Sequence, residues 1–134
     1  MNIATYADLR EAAVGQAQPQ RLLFVFAEAE LPGDATVEQE RRFASHEGGA
    51  LAPVMCVDKG AHELGSFASL SEESRQTGLD WDIVFVAALS GRGGVAPDSG
   101  EAEHALKMMI EAIKGGAIGN LLAFNRDGDL VRLF

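Results

Sequence analysis

Cysteine is almost missing from this chain: Cys56 is the only one. No intramolecular disulfide can form, and the sequence suits a reducing compartment. Long apolar runs are missing too. None approaches the roughly 18 residues that a bilayer-spanning helix needs. The opening residues Met1 to Tyr6 lack a basic segment followed by an apolar one, so no secretory signal is expected and the cytoplasm is the expected location. Basic residues are scarce: 11 Lys and Arg stand against 20 Asp and Glu, a net charge of −9. Their longest run is Arg41-Arg42, beside Glu38 and Glu40. Nucleic-acid binding draws its affinity from cations that neutralise phosphates, and anionic membranes attract cationic segments, so both partners are excluded as expectations.

What is present describes an ordinary globular chain. Its 134 residues, 47% hydrophobic and 23% charged, are enough for one domain with a real core. Thr5-Tyr6-Ala7-Asp8 carries a capping-box pattern for a first helix, with Tyr6, Leu9 and Ala13 on one face and Gly15 at its end. Leu22 to Ala27 is short and continuously apolar, the pattern of a strand covered on both faces. Pro32-Gly33-Asp34 marks a turn, Thr36 opens a short helix toward Ser45, and Gly48-Gly49 stops it. Leu51 to Val57 is a second strand, in which Pro53 argues against a central place. Ala61 to Gln76 is helical in pattern. Asp82 to Leu89 has the strongest strand signal, with seven consecutive apolar residues from Ile83, again implying cover on both faces.

The last helix starts at an Asp98 cap, carries the stripe Ala102, Ala105, Leu106, Met109, Ile110 and Ile113, and closes at Gly115-Gly116. Leu121 to Phe124 and Leu130 to Leu133 flank Asn125-Arg126-Asp127-Gly128-Asp129, a hairpin in which Gly128 supplies a positive φ. Leu23, Val25, Val84, Val86, Leu106, Met109 and Ile110 are the expected core. Strands separated by helices ordinarily form parallel pairs through right-handed crossovers. The expected fold is therefore a single α/β domain, residues 1–134: a mostly parallel sheet, helices on both faces and a C-terminal antiparallel hairpin.

Four segments are familiar as a set: 21–27 (RLLFVFA), 53–59 (PVMCVDK), 81–94 (WDIVFVAALSGRGG) and 124–128 (FNRDG). Together they resemble a family of small uncharacterised proteobacterial proteins of about this length, and the resemblance spans nearly the whole chain. Members of that family carry the label "ribonucleotide reductase subunit alpha", and the family implies no catalytic residues to carry over. A reductase large subunit needs a radical-bearing cysteine and a reducing thiol pair. One cysteine cannot close a disulfide, so the label does not bring that activity with it.

In a parallel sheet the loops leaving the carboxyl ends of the strands share one edge, where ligands usually bind. That places Glu28, Asp58, Lys59, Ser90, Gly91, Arg92 and Gly93 together as candidate ligand contacts. The run Ser90 to Gly94 lets backbone N–H groups approach an anion, with Arg92 adding a charged bond; a plain flexible loop with solvated charges is the competing reading. It matches neither a Walker loop nor a dinucleotide fingerprint. Cys56 is expected to be a buried, inert thiol. The three histidines match no zinc spacing, no nucleophile elbow occurs, and neither a metal nor another cofactor is implied. Two functions follow as expectations: a non-catalytic binding protein acting through a partner protein or small ligand at the strand-end rim, or a small enzyme or a sensor of an anionic or zwitterionic ligand using Asp58 and Arg92. A second copy of the chain is a further candidate partner.

Overall fold

A computed structural model of the chain describes residues 3–30, 50–119 and 121–131. The turn at Pro32-Gly33-Asp34, the helix expected from Thr36 to Ser45, and the outer end of the last strand (132–133) lie outside those residues. Helix α1 (Tyr6–Val14) starts on the expected box: the Thr5 side chain accepts from the Asp8 N–H, and the Asp8 carboxylate accepts from the Thr5 N–H. It is followed by β1 (Gln20–Glu30), β2 (Ala50–Gly60), a 3-10 turn (Ala61–Glu63), α2 (Phe67–Arg75), β3 (Ile83–Ser90), α3 (Ser99–Lys114) and β4 (Leu122–Asn125).

The strands form one sheet in the order β2-β1-β3-β4, and every neighbouring pair is antiparallel. The expected parallel sheet is thus corrected. Apolar runs such as Leu22–Ala27, buried throughout, report that both faces are covered; they carry no information on strand direction. A helix between two strands also does not make them neighbours. β2 and β3 both run opposite to β1 and hence in the same direction, but β1 lies between them. After β3, helix α3 packs mainly across β1 and β2, and β4 then comes back beside β3. The hairpin at the end is as expected. Gly128 has φ 85°, the Asn125 N–H bonds to the Asp129 carbonyl at 3.0 Å, and Phe124 bridges to Leu130.

Two cores sandwich the sheet. Leu22, Phe24, Phe26, Val84, Val86 and Phe124 meet Tyr6, Leu9, Ala13, Leu64, Leu70 and Trp81 on one face. Leu23, Val25, Ala27, Phe85 and Ala123 meet Ala102, Leu106, Met109 and Ile113 on the other. The alternation along β1 sends successive residues to opposite layers. Of the expected core only Ile110 falls short, being half-buried while Ile113 takes the inner place. The Trp81 indole N–H finds its acceptor in the Ser74 hydroxyl at 2.8 Å, which itself donates to the Ser71 carbonyl.

Cys56 departs from expectation: it is exposed. It lies on β2, which among the described residues has a neighbouring strand on one side only. Pro53 and a register shift opposite Phe26 and Ala27 also sit on this strand. Both are features that keep a sheet edge from pairing with other chains.

Candidate functional site

The antiparallel order redistributes the residues expected on one rim. Asp58 pairs with Leu23, and Ser90 pairs with Gln20. Asp58, Lys59 and the segment 90–93 therefore stand at the end of the sheet where β1 begins. Glu28 pairs with Ala52, five residues further along β1, roughly 17 Å away at the rise of a strand. A shared rim requires parallel strands, and these strands are not parallel, so Glu28 stands apart from the rest.

The remaining residues have individual partners. Asp58 is ion-paired with Arg21, its neighbour on β1. The Lys59 ammonium reaches Glu73 on α2 at 2.8 Å. Adjacent residues of a strand face opposite ways, so Asp58 and Lys59 serve different layers. The Arg92 guanidinium has Glu101 as its carboxylate partner among the described residues, at 4.0 Å, and its side chain is 90% exposed. Asp58 and Arg92, which lie on opposite sides of β1, are not paired with each other.

The glycine-rich segment is a small hairpin. Arg92 and Val95 exchange two backbone hydrogen bonds of 3.0 Å, with Gly93 at φ 59° and Gly94 at φ 80° between them, as a tight two-residue turn with both central φ positive requires. The Gly91 N–H donates to the Pro19 carbonyl at 2.7 Å and the Gly94 N–H to the Gln18 side chain at 2.8 Å. The Ser90 hydroxyl accepts from the Gln20 side chain. Most of the donors that would cradle an anion are thus engaged in holding the loop, and the loop is fixed by hydrogen bonds at its base and tip.

A separate concavity of about 310 Å³ lies between α1, the start of α2 and the turn after β4, lined by Thr5, Tyr6, Arg10, Ser66, Phe67 and Asp127 among others. Tyr6 and Phe67 pack edge to face at 5.3 Å. Sequence reading missed this feature: α1 and the turn lie at opposite ends of the chain and are joined by the Thr5–Asp129 bridge and by the Tyr6–Phe124 contact. No local motif signals it.

Burial, with a smaller contribution from the Glu73 carboxylate, pushes the Tyr6 hydroxyl up from 10.0 to about 12. The folded state favours the neutral phenol. Its contribution is therefore complete below pH 10 and is lost as pH rises through about 12, a loss on the order of 2 kcal/mol. Tyr6 is the only tyrosine, so phenolate absorbance reports it alone. The expected titration midpoint lies well above 10 and coincides with loss of the near-ultraviolet circular dichroism. A midpoint near 10 with the fold intact contradicts this account.

The chain matches no protein-family model, no curated protein and no solved structure. Among the described residues no helix is long and apolar enough to cross a membrane, and no group of three His, Cys, Asp or Glu side chains comes together to hold a metal.

Proposed function

We propose that this protein is a non-catalytic binding protein of the cytoplasm whose partner is another protein, contacted by the hairpin at Gly91–Val95. The observation that carries the reading is the geometry of that hairpin. Arg92 and Val95 are directly opposed residues of an antiparallel pair, so their side chains leave the same face. Both are strongly exposed; Val95, at 69%, is the most exposed large apolar residue of those described. A charged, fork-shaped group beside an aliphatic one on a pre-ordered tip loses little conformational entropy on binding. Arginine is also enriched among residues that dominate interface energies. The acidity of the chain argues against nucleic acid as the partner, and the single cysteine suits a reducing compartment. The resemblance to the small proteobacterial family belongs to this proposal as well, and brings no catalytic role with it.

The test compares the wild type with the Arg92→Ala/Val95→Ser variant in affinity capture from a cytoplasmic extract, followed by a binding titration with the recovered partner. Both positions are exposed, so the variant should unfold within about 0.5 kcal/mol of the wild type. The expected result is a partner whose titrated affinity drops with the variant. Equal binding to both proteins, or turnover of a substrate by the purified wild type that depends on Asp58, would end the reading.

A further inference from the structure

The cleft beside α1 differs from the rest of the charged surface in one respect. Among the described residues, Arg21, Lys59, Arg75, Arg92, Lys107, Lys114 and Arg126 each have a carboxylate within 4.0 Å. Arg10 is the described cation that does not, and it lines the cleft. Asp8, two residues before it, is already engaged: its carboxylate accepts from the backbone N–H groups of Ala4 and Thr5. Asp127 lines the same cleft, and its carboxylate has neither an ion pair nor a hydrogen bond among the described residues. The capping hydroxyls Thr5 and Ser66 accept from the Asp8 and Ser69 N–H groups. The concavity thus carries one uncommitted group of each sign and an aromatic wall, Tyr6 against Phe67.

We infer that the cleft is a binding site for a free α-amino acid with an apolar side chain, its carboxylate on Arg10, its ammonium on Asp127 and its side chain against Phe67 and Tyr6. The assignment is independent of the hairpin at Gly91–Val95. A guanidinium grips a carboxylate through two parallel bonds. A volume of about 310 Å³ stands at the small end of ligand pockets, which suits a single amino acid. The wall is rigid. Phe67 is held by Tyr6 and Phe124, and Gly128 presses on its ring so closely that an added Cβ would come within 2.9 Å.

The probes are L-leucine and L-phenylalanine, each compared with its amide, which lacks the carboxylate, and its N-acetyl form, which lacks the ammonium. Binding is read by calorimetry and by chemical-shift changes at Arg10 and Gly128. Free amino acids should bind, and both blocked forms should bind at least about tenfold more weakly, as expected for losing one charge-assisted bond. Arg10→Gln should erase the preference over the amide, and Asp127→Asn the preference over the N-acetyl form. Both residues are exposed, and a thermal unfolding scan verifies that each variant remains folded. Lack of binding by the free amino acids at millimolar concentration overturns the inference. Equal binding of free and blocked forms, or unchanged affinity in folded Arg10→Gln, does the same.

Discussion

Replacing Phe124 with alanine is expected to destabilise the protein by about 3–5 kcal/mol, although β4 is only four residues long. A strand of this length holds its place largely through its side chains, and Phe124 is fully buried. Its ring meets Tyr6 edge-on at 5.7 Å and Phe67 at 6.3 Å, while Phe67 and Phe26 in turn meet Trp81. Removing it leaves a void at the junction of α1, α2 and the sheet and deletes two aromatic contacts, each adding about 0.5–1.5 kcal/mol beyond area burial. Phe124→Leu keeps most of the volume and should cost less than about 1.5 kcal/mol. Urea titration followed by fluorescence of the single tryptophan measures both. A loss below about 1 kcal/mol for the alanine variant would mean that β4 is dispensable to this core.

Gly91→Ala should be the most damaging change in the glycine-rich segment. A Cβ there would run into the Val95 carbonyl oxygen and lie 3.0 Å from the Pro19 carbonyl oxygen. Both are backbone atoms held by the hairpin and by the Gly91 N–H bond, so neither can swing aside as a side chain would. Overpacking of this kind costs about 1–3 kcal/mol. Gly93→Ala is the informative control: Gly93 has φ 59° with nothing within 4 Å of an added Cβ. Only the left-handed backbone penalty of about 1–2 kcal/mol applies there. Alanine at Gly91 should also open the loop, increasing proteolytic cutting between β3 and α3. Equal stability of the Gly91 variant and the wild type would mean that the hairpin is looser than its hydrogen bonds imply.

Glycine at 91, 93 and 94 shows how one sequence signal admits two structures. Consecutive glycines after an apolar strand allow an anion cradle and allow a tight hairpin with equal ease. The choice depends on whether other backbone groups meet the N–H donors. Here Pro19 and Gln18 do so, and they come from the segment that enters β1, distant in sequence and beyond the reach of local reasoning. The same limit applies to Asp58. Its carboxylate was legible as a strand-end charge, but its partner Arg21 is set by the β1–β2 register, which no spacing along the chain encodes.

By itself the sequence determined where most helices and strands of the described chain lie, although the helix expected over Ala61 to Gln76 divides into the 3-10 turn Ala61–Glu63 and a shorter α2 capped by Ser66. It also determined that β1 and β3 are covered on both faces, that Pro53 argues against a central strand and that Gly128 turns the final hairpin. These properties follow from side-chain periodicity, cap chemistry and allowed φ angles, all local. Only the tertiary structure decided the direction of the strands, the place of β1 between β2 and β3, the exposure of Cys56, and the placing of Arg10 and Asp127 on one cleft. An apolar strand buries the same area whichever way its neighbour runs. Direction is set by where α2 and α3 cross the sheet, and that is settled by packing between segments distant in sequence.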